Sequence, residues 1–156
     1  TNLLRRVALR VSLREDTLVF DNYTVKDGET PEILAHKLYD DPQLHWVILL
    51  INNITDRYHQ WPKPYIQHLS YLNNKYPTAV KLNALHHYEI SQTSGDTTVK
   101  INIGKDNTDF PSATAITNVE FEDDLQEKQR LIRLLDPSYL SQFVEEFEEL
   151  MEESAI

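Results

Sequence analysis

The chain has no cysteine, one methionine and 3 glycines in 156 residues. Without cysteine there is no disulfide framework and no thiolate metal site, and the redox compartment is left open. With so few glycines, a phosphate cradle built from backbone amides is not expected. The Gly-rich phosphate loop, the dinucleotide fingerprint and the Gly-x-Ser-x-Gly nucleophile elbow are all missing. Long apolar runs are lacking too. The longest, Trp46 to Ile51, falls far below the ~18–20 residues that span a bilayer. No basic-then-apolar leader opens the chain, so export by its own signal is not expected.

Basic charge is the other scarcity. The formal net charge is −10, and residues 119–156 carry 12 acidic against 3 basic side chains, leaving the first 118 residues nearly balanced. An acidic chain with no basic stripe releases few phosphate counterions, so no nucleic-acid partner is expected. Four arginines (Arg5, Arg6, Arg10, Arg14) nonetheless crowd into the first 14 residues. Arg5 and Arg6 are candidate contacts to an acidic neighbouring protein. The alternative is a solvated arm.

What is present suits a packed core: 40% of residues are apolar and 10% aromatic, enough to bury one domain with projecting arms. Val7, Leu9, Val11 and Leu13 alternate with Ala8, Arg10, Ser12 and Arg14, the period of an extended segment. A second β-like stretch covers Thr17 to Val25. Asp27-Gly28 is a turn dipeptide. Thr30-Pro31 starts a helix, because the hydroxyl accepts an orphan backbone N–H and proline suits the first helical position. That helix runs to about Tyr39 and should bury Ile33, Leu34 and Leu38. Asp41-Pro42 repeats the signal for a second helix, apolar almost all round, which must be buried by more than one neighbour. Asn52-Asn53 ends it. A third helix from Tyr65 places Tyr65, Ile66, Leu69, Leu72 and Tyr76 on one face, and Pro77 stops it. His87–Ser91 and Thr97–Ile103 read as a hairpin through Ser94-Gly95-Asp96, and residues 104–117 as a loop. Asn118–Leu125 and Lys128–Leu135 read as two strands, because Val119, Phe121 and Leu125 make no clean helical face. Asp136-Pro137 begins a last helix with Tyr139, Leu140, Phe143, Val144, Phe147, Leu150 and Met151 at helical spacing, opposite six glutamates. Acids at a helix C-terminus oppose the macrodipole, so packing of the stripe must hold this helix.

The segment Tyr23-Thr24-Val25-Lys26-Asp27-Gly28-Glu29-Thr30, followed by two short helices ending at Asn52-Asn53, resembles the first three-quarters of a LysM module. The continuation through Asp56-Arg57-Tyr58 and Trp61-Pro62, and a helix ending in Lys75-Tyr76, resembles the LysM-like baseplate wedge subunit of contractile-tailed bacteriophages. So do Asn118 to Glu122, Glu127 to Leu135 and the acidic terminal helix; together the likeness covers most of residues 18–152. It implies an α+β fold: a small LysM-like strand–helix–helix core (18–92) with an inserted helix, an N-terminal extended arm (1–17), a hairpin and loop (93–117), and a C-terminal hairpin plus amphipathic helix (118–156). With the inserted helix in the way, the strand that closes the core is expected near His87 to Ser91.

The role implied is architectural. The chain would join neighbouring wedges around the central hub of a tail baseplate, in multiple copies of a ring-shaped assembly, after synthesis in the host cytoplasm. Other wedge and hub-proximal tail proteins would be its partners, with no membrane, cofactor or catalytic residue. Trp61, Tyr139, Phe143 and Phe147 join Arg5 and Arg6 as candidate partner contacts. Trp61 in its Pro-flanked loop reads equally as a cover on the core edge, and Trp46 as core. The competing reading is a peptidoglycan- or chitin-binding LysM module, with a groove lined by Asp27, Gly28, Glu29, Thr30, Asn53 and Ile54. The six histidines offer no metal-ligand spacing; His86-His87 on a strand should point to opposite faces. Glutamates along one helix face lack the cleft that paired acid/base catalysis needs.

Overall fold

The computed structural model describes residues 19–106 and 109–153. The expected strand Val7 to Leu13, and the arm as a whole, lie outside them. The fold is α+β, in two compact units: residues 1–63 with 129–156, and residues 64–128. The sequence reading had divided the chain elsewhere, at 17/18, 92/93 and 117/118. Among the described residues no helix is long and apolar enough to cross a membrane.

The first unit begins with β1 (Phe20–Thr24). Thr30 then caps α1 (Pro31–Tyr39), its hydroxyl accepting from the Ile33 amide, and Asp40 closes the helix in the left-handed region at φ 59°. Asp41 caps a 3-10 turn over Pro42–Leu44 that runs into α2 (His45–Ile51). A short helix, α3 (Arg57–Gln60), follows. The chain returns to this unit at β5 (Leu131–Leu135), then a 3-10 turn at Pro137–Tyr139 and the terminal helix α7 (Leu140–Glu153).

The strand that closes the sheet is therefore β5, antiparallel to β1 with Phe20 opposite Leu135 and Thr24 opposite Leu131. His87 to Ser91 pairs elsewhere, so the expected closing strand is corrected. The ladder continues past both ends: the Val25 amide donates to the Arg130 carbonyl (2.8 Å), and the Asp136 amide to the Val19 carbonyl (3.0 Å). Alternation along the strands sends side chains of this two-stranded sheet into two core clusters. Tyr23, Val25, Ile132 and Leu134 meet Leu34 and Ala35 of α1, Ile48 of α2, and Trp61. Phe20 and Leu135 meet Val47 and Ile51 of α2, with Leu140 and Phe143 of α7 against them. Helix α2 thus serves both clusters, which accounts for its all-round apolar sequence. Ile33, expected in the core, is exposed.

Asn52 locks β5 in register. The Arg133 amide donates to its Oδ1 (2.8 Å), while its Nδ2 donates to the Arg133 carbonyl (2.8 Å) and to the Ile48 carbonyl (2.8 Å). Arg133 sits opposite Asn22. Since both its backbone groups point away from β1, one amide side chain takes the place of a third strand at that position. Tyr39 adds a second tie, its hydroxyl donating to the Leu135 carbonyl (3.2 Å). Burial pushes that phenol up to about 12, so it remains a donor at any ordinary pH.

The second unit contains α4 (Tyr65–Lys75), the one-turn α5 (Ala79–Leu82), β2 (Leu85–Ser94), β3 (Thr97–Gly104), β4 (Thr114–Thr117) and α6 (Asn118–Arg130), whose last two residues count with the first unit. The strands form one antiparallel sheet in the order β3-β2-β4. Gly95 provides the positive φ (59°) that the two-residue turn of the expected hairpin needs. Residues 104–117, expected as a loop, contain β4.

Asn118–Leu125, expected as a strand, is helical. The inward side of α6 is a carboxylate: Glu122 is buried and accepts from Lys75 Nζ (2.6 Å), Tyr76 Oη (3.1 Å) and Tyr71 Oη (3.3 Å). The same holds for α4, which buries His68 and Leu72 and leaves Tyr65 and Ile66 exposed, and whose His68 meets Asp123 at 2.8 Å. Apolar periodicity therefore missed α6, and in α4 it found the helix but misjudged the face that is buried.

The Asn52 bridge yields a direct prediction. Asn52→Leu strands the Arg133 amide and carbonyl and should cost about 2 kcal/mol in urea unfolding. Asn52→Asp sets a carboxylate oxygen against two carbonyls and should cost at least as much at neutral pH. Variants within about 0.5 kcal/mol of the parent, the range of neutral surface changes, would remove Asn52 from its assigned role.

Candidate interaction site

The turn between β1 and α1 is organised by Glu29. Gly28 takes φ 76°, a conformation that suits the residue without a Cβ. Glu29 then folds back: its Oε2 accepts from the Lys26 amide (2.9 Å) and the Tyr23 hydroxyl (2.9 Å), and its Oε1 from Lys37 Nζ (2.6 Å). Burial alone would raise this carboxyl. The bonds from Lys37, the Lys26 amide and Tyr23 outweigh it and hold the group below the ordinary glutamate range. The Glu29 backbone carbonyl is taken as well, by Trp61 Nε1 at 2.9 Å.

Two of the candidate positions beyond α2 are also committed to the fold. Asn53 adopts φ 59° and its amide donates to the Leu50 carbonyl (3.1 Å). The Ile54 amide donates to the Leu49 carbonyl (2.8 Å), and its side chain packs against the first core cluster. The following segment returns to the turn, Arg57 pairing with Glu32 and Trp61 reaching Glu29. Asp27, Gly28, Glu29, Thr30, Asn53 and Ile54 are thus a turn, a cap and a helix end.

Among the candidate partner contacts, Trp61 is buried, a core residue by position. Trp46 is only half-buried, and its indole meets Phe147 (ring centroids 4.6 Å apart) and Phe143 (6.3 Å). Trp61 thus takes the core-covering place that was one of its two readings, whereas Trp46, read as core, packs at the edge of the second cluster. Phe143 and Phe147 therefore lie between the core and solvent, whereas Tyr139 and Leu150 remain exposed, Leu150 at 50%. Arg5 and Arg6 lie outside the described residues.

His86 and His87 overturn the expected alternation. Their Nδ1 atoms stand 2.7 Å apart, so one ring donates to the other, and His86 stacks on Phe121 with centroids 3.9 Å apart. The register of β2 against β4 shifts between Leu85 and His87, and the irregularity breaks the period of two. Among the described residues no group of three or more histidines and carboxylates is placed to hold a metal ion.

A family model described as Base plate wedge protein 53 matches residues 15–107. The chain belongs to that family. Baseplate wedge protein gp53 of Enterobacteria phage T4 is 44% identical to it over 39 residues, 25% of this chain and 20% of that protein. The aligned stretch is thus about one fifth of the curated relative. Within this wedge family member the matched region runs from before β1 through β3, while β4, α6, β5 and α7 lie beyond it.

Asn52, Glu122 and the carboxylate role of Glu29 carry structure that hydrophobic patterning missed. One available signal was Thr117-Asn118-Val119-Glu120, a capping box: the Thr117 amide donates to Glu120 Oε2 (2.8 Å), and the Glu120 amide to Thr117 Oγ1 (3.4 Å). It marks the start of α6.

The Glu29 arrangement predicts an acid limb of stability. Because its folded value is depressed, its contribution is present above the ordinary 4.5 and is lost as pH falls through the folded value. Glu29→Gln should lower Tm at neutral pH and flatten the decline below pH 4.5; parallel Tm–pH curves for variant and parent would contradict the assignment.

Proposed function

We propose that this chain is a non-enzymatic structural subunit of a phage tail baseplate, joining neighbouring wedge subunits around the central hub through protein–protein contacts. It acts in the virion, in multiple copies, after synthesis in the host cytoplasm. Membership of the base plate wedge protein 53 family is the observation that carries this reading. The surface supports it: Ile66 is 76% exposed and Val80 81%, on α4 and α5, and the outer part of the β2–β3 hairpin leaves Val99 and Ile101 exposed. Large exposed apolar side chains of this kind are available for burial by other proteins.

The glycan-binding reading has less to draw on. Its turn spends the Glu29 carboxylate on Tyr23, Lys26 and Lys37 and the Glu29 carbonyl on Trp61. A sugar would have to displace these bonds, and each buried group left unmatched costs about 1–3 kcal/mol.

Ile66→Asp combined with Val80→Asp separates the readings. Both side chains are exposed, so the double variant should melt as the parent does. It should fail to co-purify with wedge subassemblies when expressed beside the other baseplate proteins of its phage. Normal incorporation would remove these two side chains from the assembly role. Saturable binding of chitin oligomers by the parent, followed by tryptophan fluorescence, would favour the sugar-binding reading instead.

A further inference from the structure

Helix α7 leaves one flank uncovered. Its stripe is seated on Trp46 through Phe143 and Phe147. Tyr139, Gln142, Glu146 and Leu150 recur at three, four and four residues and form a second line along the helix. Tyr139 is 40% and Leu150 50% exposed, and Gln142, Glu146 and the adjoining Glu149 are exposed as well. Among the described residues no lysine or arginine is ion-paired with Glu145, Glu146, Glu148, Glu149 or Glu152. Three of these acids, Glu148, Glu149 and Glu152, fall in the C-terminal half of the helix, where the macrodipole favours cations.

We propose that residues 5–14 of the same chain dock along this flank of α7, with Val7, Leu9, Val11 and Leu13 toward Tyr139 and Leu150 and the arginines on the glutamates. Three observations favour this occupant. The segment has the complementary charge: four arginines and no acid in its first 14 residues. Its period of two places Arg6, Arg10 and Arg14 on one side of an extended chain and the apolar residues on the other. A two-sided segment thus meets a two-sided flank, and arginine stems are long enough to bend back to acids beside an apolar seat.

The third observation is where the segment is tethered. The Val19 carbonyl accepts from the Asp136 amide at 3.0 Å, and Val19 packs with Leu140 and Phe143 in the second core cluster. The described chain therefore begins beside Asp136, at the turn that leads into α7. Fourteen extended residues reach roughly 45 Å, whereas a helix of that length is about 21 Å long, so the segment can cover the whole flank. The inference stands apart from the baseplate reading and holds or fails without it.

The native absence of cysteine makes the test clean. In the full chain, Val11→Cys with Leu150→Cys should oxidise to a monomeric cross-linked species about tenfold faster than Val11→Cys with Asn22→Cys, reflecting a higher effective concentration. Reversing Arg6, Arg10 and Arg14 to Glu should remove that advantage, and adding Glu145, Glu146 and Glu149 to Lys should restore it. On the unaltered chain, trypsin cleavage after Arg10 and Arg14 should quicken several-fold between low salt and about 0.5 M salt, where exposed ion pairs are screened. A cross-linked dimer would assign the flank to another copy and overturn the proposal. Equal oxidation at Asn22, which would put the segment beside β1, or salt-independent cleavage would overturn it too.

Discussion

Pairing of Phe20–Thr24 with Leu131–Leu135 is the constraint on which the first unit depends. A two-stranded sheet alone is marginal in water. Here one face is covered by α1, α2 and Trp61, and on the other Phe20 and Leu135 are covered by α2 and the start of α7. Helix α2 is wedged between both clusters, so losing β5 would uncover it on two sides at once. The cost of bringing together strands that lie about a hundred residues apart rises only slowly with that separation, because loop-closure entropy grows as the logarithm of loop length, about 0.6 kcal/mol per doubling. An insertion the size of the second unit between α2 and its partner strand is thermodynamically tolerable. What must be specified is the register of the returning strand, and the Asn52 amide does so by reading both backbone groups of Arg133.

Each unit also buries one glutamate among a lysine and tyrosines: Glu29 with Lys37 and Tyr23, Glu122 with Lys75, Tyr71 and Tyr76. Both carboxyls would be raised by burial and are held below the ordinary range by their donors. Such pairs contribute little net stability relative to apolar residues of the same shape, but breaking one partner is costly. Their effect is to select one arrangement of neighbouring segments. In the second unit Leu72 is the one buried aliphatic side chain among the described residues.

The legible parts of the fold were those governed by local chemistry. Thr30-Pro31 and Asp41-Pro42 announced their helical turns, and Gly95 its hairpin, since capping and positive φ are decided within a few residues. The illegible parts were decided by partners far along the chain. The amphipathic pattern of Leu131–Leu135 could not name its partner strand, and α6 was hidden because Glu122 occupies the inward position of an apolar residue. For the candidate contacts, helical spacing found Phe143, Phe147 and Leu150, but not which of them meet Trp46. Trp61 in a proline-flanked loop had no local mark to show that the Glu29 carbonyl lies within its reach. Family membership is carried by residues 15–107, whereas the strand that completes the first unit lies outside that stretch.

A chain of the base plate wedge protein 53 family exposes large apolar side chains, Ile66 and Val80 among them. The first unit is closed by β5. Amide hydrogen exchange on the full chain tests that closure most directly. Leu131–Leu135, and the Arg133 amide in particular, should be protected to the same degree as the last turn of α2 and should exchange with it in one cooperative opening. Exchange of Leu131–Leu135 at the rate of the exposed β2–β3 hairpin, with α2 still protected, would contradict the account.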